Sequence, residues 1–428
     1  MTELKRHLGL FHTTMYGIGL ILGAGIYVLI GEAAGLAGNV VWVSFGIGAI
    51  VAVFSGLSYA ELASMYPKSA AEYVFVKNAF KSNFLAFIVG WLTLFTSIIS
   101  ASTVALGFGG YITEFFDYPI VISAALLIVI LSLVNFFGIR ESSWTNIVFT
   151  MIEAAGLALI IYIGFTFTGA DPVNYFESAS GINGIFLAFV LIFFAFIGFE
   201  DIVNIAEETK NPRKVLPRAI LLSILITAII YILVSLTVVR VLSWQELGSS
   251  VAPLADVAGR ALGTSGQFVL SLIALFATTN TVLIILLAGS RILYGMATHN
   301  SLPSLLGKIH PRTKTPWMAV LAIMFTAIIF TFVGNIATIA SITVFAIVIT
   351  FALVNLSVIL LRYKESTLER SFRVPVNIGK FPILPLLGLI VSGYMVTQFS
   401  AYVVLVGIGI IVIGVIFYAF YTKRTIKL

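Results

Sequence analysis

The chain carries a dozen apolar runs of about 20 residues each, with little polar sequence between them. A helix needs about 20 such residues to cross the hydrocarbon of a bilayer, and lipid offers no hydrogen bonds to a backbone that leaves the helical ladder. The runs fall near 12–36, 40–64, 84–112, 119–138, 143–167, 184–206, 218–239, 265–297, 317–334, 337–361, 382–399 and 402–421. The expected fold is therefore an all-α integral membrane protein with twelve transmembrane helices. Composition points the same way. The chain is 60% hydrophobic and 10% charged, where a soluble domain has about 25% charged residues.

Charge supplies an orientation. With the N-terminus cytoplasmic, all of the 24 Lys and Arg residues except Arg240 and Arg260 fall on the inner side, as positive-inside sorting requires. A wrong helix count would scramble that sorting. The net charge of +6 thus belongs to membrane topology and is no footprint of nucleic acid. The expected location is the plasma membrane, multi-pass, with both termini cytoplasmic. Met1 to Leu10 is short and charged and leads into a full span, which reads as a retained helix and not a cleaved signal peptide. There are no cysteines, which excludes disulfides and thiolate metal sites.

Two of the runs are interrupted where a helix can least tolerate it. In the first, Gly19, Gly23 and Gly25 cluster near mid-membrane, with Ala24 between the last two. Such glycines can let two helices pack closely. They can also open the helix and free N–H and C=O groups for a ligand. The sixth run reads Phe193-Phe194-Ala195-Phe196-Ile197-Gly198-Phe199-Glu200-Asp201 and places a glycine and two carboxyls at membrane depth. Charges there are costly and mark functional sites, unless Glu200 and Asp201 merely bind backbone or water at the inner half of the bundle. The two interruptions lie about 170 residues apart, the distance that two five-helix inverted repeats would give. A half-helix N-terminus suits a carboxylate, and a half-helix C-terminus suits an ammonium or a sodium ion. Two such breaks crossing at the midplane would read the zwitterion of an α-amino acid without a charged side chain.

Several pieces together resemble a known family: Gly19 and Gly23-Ala24-Gly25-Ile26-Tyr27, Tyr59-Ala60-Glu61-Leu62, the sixth-span segment continuing to Ala206-Glu207-Glu208-Thr209-Lys210-Asn211-Pro212-Arg213 and Leu216-Pro217-Arg218, and Ser290-Arg291-Ile292-Leu293-Tyr294-Gly295. They resemble the amino acid–polyamine–organocation transporters, nearest to cationic amino acid transporter-like prokaryotic permeases, over almost the whole chain. The resemblance implies a LeuT-type fold with a 5+5 inverted repeat and broken helices 1 and 6. The units would be 1–167 (first repeat), 184–362 (second repeat) and 382–428 (accessory helices 11 and 12 with the tail). It implies secondary transport of amino acids without a cofactor. The substrate carboxylate would meet the backbone at Gly23, Ala24 and Gly25. Its amino group would meet carbonyls near Ile21, Phe194, Ala195 and Ile197, and Phe196 or Phe199 would form an aromatic gate. One departure is that relatives often carry aspartate after Gly-Phe in the sixth span, whereas this chain has Glu200 followed by Asp201.

Glu153 is the most isolated charge, in mid-span of the fifth run. A carboxyl that can gain and lose a proton at membrane depth is a relay candidate. In proton-coupled members of the family a lysine stands where Glu153 aligns. Glu153 could carry the proton itself, complete a cation site with Thr278, Thr279 and carbonyls near Gly19, or make a polar helix contact with Asn280. Proton coupling is the expectation, with sodium symport or exchange as alternatives. Ser97, Ser100, Ser102, Thr103, Asn280, Ser341 and Thr343 are the expected polar linings of the side-chain pocket. Neutral and cationic substrates rank level. Polyamines rank lower, because they lack a carboxylate for the glycine break.

Three connections look structured: an inner amphipathic helix over 69–80, an external cap with a capping box at Ser243–Glu246 continuing through Ala252 to Leu262, and a polar inner linker over 362–381. An embedded enzyme fits poorly, since His7, His12, His299 and His310 all lie near membrane edges and no zincin or nucleophile-elbow motif occurs. A channel is the other rival; it would conduct without saturable, stereospecific uptake.

Overall fold

The computed structural model describes residues 8–68, 71–137, 143–169, 172–206, 208–298, 301–313 and 315–425, and describes no side chain for Ala24, 143–146 or 421–425. Among the residues named above, Met1, His7, Glu207 and His299 lie outside it, as does the start of the expected amphipathic helix at 69–70.

Among the described residues the regular structure is helical, apart from a hairpin of two short strands that pairs Asn377–Ile378 with Phe381–Pro382. Its α-helices are α1 (Leu10–Leu22), α2 (Ala24–Ala37), α3 (Val41–Met65), α4 (Ala71–Phe80), α5 (Asn83–Ile112), α6 (Ile120–Phe137), α7 (Ser143–Thr166), α8 (Gly181–Ile192), α9 (Pro212–Val241), α10 (Trp244–Ser249), α11 (Pro253–Thr298), α12 (Trp317–Thr331), α13 (Ile336–Lys364), α14 (Ile383–Gln398) and α15 (Ala401–Thr425). Among the described residues, nine helical stretches are long and apolar enough to cross a membrane, and three shorter apolar helices accompany them. The outward faces suit lipid. On α6, Ile122, Leu126, Ile130, Leu133 and Phe137 are all exposed, and their spacing of three and four residues makes one continuous stripe.

The first run is two helices. α1 ends at Leu22, Gly23 sits at φ −39°, ψ −160°, and α2 starts at Ala24. The sixth run departs further from α geometry. α8 stops at Ile192, a 3₁₀ turn carries Phe193–Phe196, and Ile197 is extended. Gly198 takes φ +125°, a value an L side chain rarely adopts, and a second 3₁₀ stretch covers Glu200–Ile205.

The connection after α9 holds the expected capping box: Ser243 Oγ accepts from the Glu246 amide while Glu246 accepts from the Ser243 amide. α11 is broken at Gly263, whose φ +71° and ψ −165° are non-helical, so its first part, 253–262, is a short helix set off from the long helix that follows. α10 and this short helix together form the expected cap, which ends at Leu262.

Glu61, near the end of α3, is a buried hub. Arg362 Nε donates to its Oε1 at 2.6 Å and Arg362 Nη2 to its Oε2. Arg370 Nε adds a third bond at 3.2 Å and the Val374 amide a fourth at 2.8 Å. The linker over 362–381 is thereby tied to the ends of α3 and α13. Glu365 strengthens the same strap by accepting from the Tyr66 hydroxyl and from Lys81.

Candidate functional site

The two interrupted segments touch each other. A Cβ placed on Gly25 would lie 2.6 Å from the Ala195 Cα, and one on Gly198 would lie 3.0 Å from the Leu20 carbonyl oxygen. Only glycine allows backbones to approach this closely. The approach puts the carbonyl end of α1 and the amide end of α2 beside the opened sixth segment.

Between them is a cavity of about 40 Å³, lined by Leu20, Ile21, Gly23, Gly25, Ser100, Val104, Phe194, Ala195, Ile197, Thr281 and Ile285. Of the expected substrate contacts, Ile21, Gly23, Gly25, Phe194, Ala195, Ile197 and Ser100 meet here, and Ala24 opens α2 beside them. A larger hollow of about 460 Å³ opens at the outer surface, lined by Leu242, Glu246, Asp256, Gly259, Arg260 and Gln267. Its charged groups bond protein partners, Glu246 to Arg260 at 2.6 Å and Asp256 to the Ser250 hydroxyl. The inner cavity is smaller, but it is the one bordered by opened backbone.

Ser100 differs from its neighbours. Thr96, Ser97, Ser102 and Thr103 each donate to the carbonyl four residues back on α5, the usual satisfaction of a hydroxyl inside an apolar helix. Ser341 and Thr343 do the same on α13. Those five expected pocket residues (Ser97, Ser102, Thr103, Ser341, Thr343) do not line the cavity. Ser100 lines it, is 5% exposed, and makes no hydrogen bond among the described residues.

Other expectations need correction. Asn280 does not reach the cavity; its Nδ2 points to the Glu153 Oε1 at 3.5 Å. One residue along α11 turns the side chain by about 100°, so Thr281 takes the cavity-lining place. Phe196 and Phe199 are not at the cavity wall either. Phe196 packs on Tyr231 at 5.3 Å, and Phe199 packs on Tyr59 and Phe351. The carbonyls of Ile21 and Ala195, expected to hold an ammonium, already face a protein donor. The Tyr231 hydroxyl from α9 lies within hydrogen-bond reach of both, at 3.0 Å from Ala195. It bridges the two interruptions from behind. Each carbonyl oxygen keeps a second lone pair for a ligand. Glu200 turns onto the break itself and accepts from the Gly198 amide at 2.9 Å, while Asp201 accepts from Asn204. Neither carboxylate lines the cavity.

Glu153 lies on α7, fully buried. Its backbone carbonyl accepts from the Tyr27 hydroxyl at 2.7 Å, and Tyr27 is held in turn by the Tyr111 hydroxyl at 2.6 Å. Its Oε2 has no partner among the described residues. Thr278 spends its hydroxyl on the α11 carbonyls of Ala274 and Leu275. Thr279 is half-buried on the same helix, and Gly19 is buried within α1. No hydrogen bond among the described residues joins Thr278, Thr279 or Gly19 to Glu153. The resulting contact is Glu153 with Asn280.

Sequence reasoning missed Leu20, Val104, Thr281, Ile285 and Tyr231. Only Tyr231 carried a signal, as a polar aromatic inside an apolar run.

An amino acid permease family model matches residues 8–423. The branched-chain amino acid permease BcaP of Bacillus subtilis (strain 168) is 29% identical, over 100% of this chain and 95% of its own. The methylthioribose transporter of the same organism is 27% identical, over 99% and 94%. The vacuolar cationic amino acid transporter 4 of Arabidopsis thaliana is 30% identical, over 84% of this chain and 64% of its own.

Proposed function

The chain belongs to the amino acid permease family, within the amino acid–polyamine–organocation transporters, whose members are membrane transporters and not enzymes, and from that premise we propose that it is a secondary active amino acid transporter working by alternating access. The observation that carries the reading is the cavity bounded on two sides by opened backbone. The start of α2 offers amides and the positive end of a helix dipole to a carboxylate. The end of α1 and the sixth segment offer carbonyls to an ammonium. Ser100 adds a hydroxyl without a partner among the described residues. A zwitterion is neutralised there without a buried charged side chain.

On this reading the membrane part has twelve spans. α1 and α2 together form span one, α8 with the two 3₁₀ stretches forms span six, and the shorter α12 and α14 form spans nine and eleven. Spans one to five and six to ten are the two inverted repeats of a LeuT-type fold, and the termini are cytoplasmic, in the plasma membrane.

Glu153 is the coupling group. One of its carboxylate oxygens is buried with no partner among the described residues, a costly arrangement that leaves it open to a proton or cation as its site opens and closes. The test is uptake of labelled amino acid into proteoliposomes under an imposed proton or sodium gradient. The expected result is uptake driven by the proton gradient, lost in Glu153→Gln while exchange of internal for external substrate persists. Proton-driven uptake unchanged in that variant rejects the coupling role. Saturable uptake driven by sodium alone favours a sodium symporter of the same fold.

A further inference from the structure

The relatives' names span branched-chain and cationic amino acids and a thio-sugar, so resemblance does not choose a substrate for this chain. The cavity does. Building on the transport reading above, we infer that the substrate is a small neutral amino acid of alanine-to-valine size, and that Val104 and Ile285 set its upper size limit.

The reasoning starts from what surrounds the space. The two interrupted segments line the cavity on the side of their opened backbone, and α5 and α11 supply the rest of the wall, the part left to face the substrate side chain. They present Ser100, Val104, Thr281 and Ile285. Val104 and Ile285 are apolar. The Thr281 hydroxyl donates to the Ala277 carbonyl at 2.9 Å, so its methyl and one lone pair remain for the cavity. No acidic side chain lines the space. The carboxyls nearest in sequence to its walls are spent elsewhere, Glu200 on the Gly198 amide and Asp201 on Asn204. A lysine or arginine side chain would enter a space with no counter-charge in its lining, and an uncompensated buried charge costs several kcal/mol. That penalty exceeds the gain from burying its methylenes.

Size is limited by the walls. The space of about 40 Å³ holds roughly three water-sized groups, fewer than the heavy atoms of any amino acid, so it must widen for substrate, and the side chains that face the widened space set the limit. Gly25 backs directly onto the Ala195 backbone, and a Cβ on Gly23 would already meet the Thr281 Oγ1 at 2.7 Å. Val104 is buried at 1% exposure. A phenyl or indole ring would have to displace Val104 and Ile285 together.

The experiment is competition of unlabelled amino acids against labelled alanine in proteoliposomes, with direct uptake of labelled alanine, valine, leucine, lysine and phenylalanine and with methylthioribose as a further competitor. Alanine and valine are expected to exceed lysine and phenylalanine in uptake efficiency by at least about tenfold, the scale on which one or two methylenes or a misplaced charge discriminate. Ile285→Val and Val104→Ala are expected to move the size limit upward, raising leucine relative to alanine by about tenfold, while lysine stays excluded. Two size variants guard against one of them failing to fold. Lysine carried as well as alanine, or a leucine-to-alanine ratio unmoved in both variants, overturns the selectivity inference and leaves amino acid transport standing. Competition by methylthioribose with none by any amino acid overturns both.

Discussion

Gly25→Ala should stop transport without unfolding the protein. The added methyl would sit 2.6 Å from the Ala195 Cα and 3.0 Å from its Cβ, where ordinary contact begins near 3.4 Å. The neighbour is main chain and cannot rotate away, so α2 and the sixth segment must separate by about 1 Å. Overpacking of this kind costs about 1–3 kcal/mol of stability. The functional cost is larger, because an error of about 1 Å in a binding constellation can cost about 100-fold. Gly23→Ala is a contrasting case. Its methyl meets the Thr281 Oγ1 at 2.7 Å and Cγ2 at 3.2 Å, both in a side chain, so adding Thr281→Ala should restore the space and part of the uptake. No second substitution at Ala195 can do this for Gly25, since its Cα remains. Gly46→Ala is the control: nothing lies within 4 Å of the position a Cβ would take there, and Gly to Ala within a helix gains up to about 1 kcal/mol. The assays are initial uptake rate in proteoliposomes and thermal unfolding in detergent. Gly25→Ala taking up substrate at the rate of Gly46→Ala would refute the claim that the two segments form one site by direct backbone contact.

The Glu61 hub should behave as a coupled unit. Glu61→Gln or Arg362→Met should each destabilise by about 3 kcal/mol, the low end for breaking a buried pair, because Arg370 and the Val374 amide remain as partial partners; a double-mutant coupling below about 0.5 kcal/mol would show the pair to be independent. Tyr231→Phe removes the donor shared by the Ile21 and Ala195 carbonyls and should weaken apparent substrate affinity severalfold at near-normal stability; unchanged affinity in a saturation assay speaks against a bridging role. Glu72, on α4 between spans, is pushed up to about 7 chiefly by burial, with the Asp201 charge adding and the Tyr59 hydroxyl opposing. The folded state thus holds this proton more tightly than the unfolded one, so its stabilisation is complete below the ordinary value of 4.5 and is lost as pH rises through about 7. Melting temperature should fall from pH ~5 to ~8 and fall less in Glu72→Gln; parallel profiles for the two proteins would remove Glu72 as the cause.

The family resemblance and the apolar runs were readable because both depend on local sequence. Glycines in the middle of an apolar run are conspicuous, since helix propensity and lipid both disfavour them there, and Gly23, Gly25 and Gly198 do lie where the backbone opens. The polar linings were not readable. Ser97, Ser100, Ser102 and Thr103 look alike in sequence, and which one escapes bonding to its own helix depends on how α5 is rotated against its neighbours. Asn280 and Thr281 differ by the same 100° turn. The partners of Glu61 were also hidden, because Arg362 lies 301 positions away and nothing local joins them.

Sequence alone therefore determined the environment of the chain, its helical class, its family and the places where its helices cannot stay regular, because hydrophobicity and glycine content act over one or two turns. Tertiary structure decided which faces those breaks present to each other, which hydroxyl is left free, that Glu200 serves the break and not the cavity, and that Tyr231 bridges both segments. Those outcomes depend on helix rotation and on contacts between residues distant in sequence, and packing fixes both.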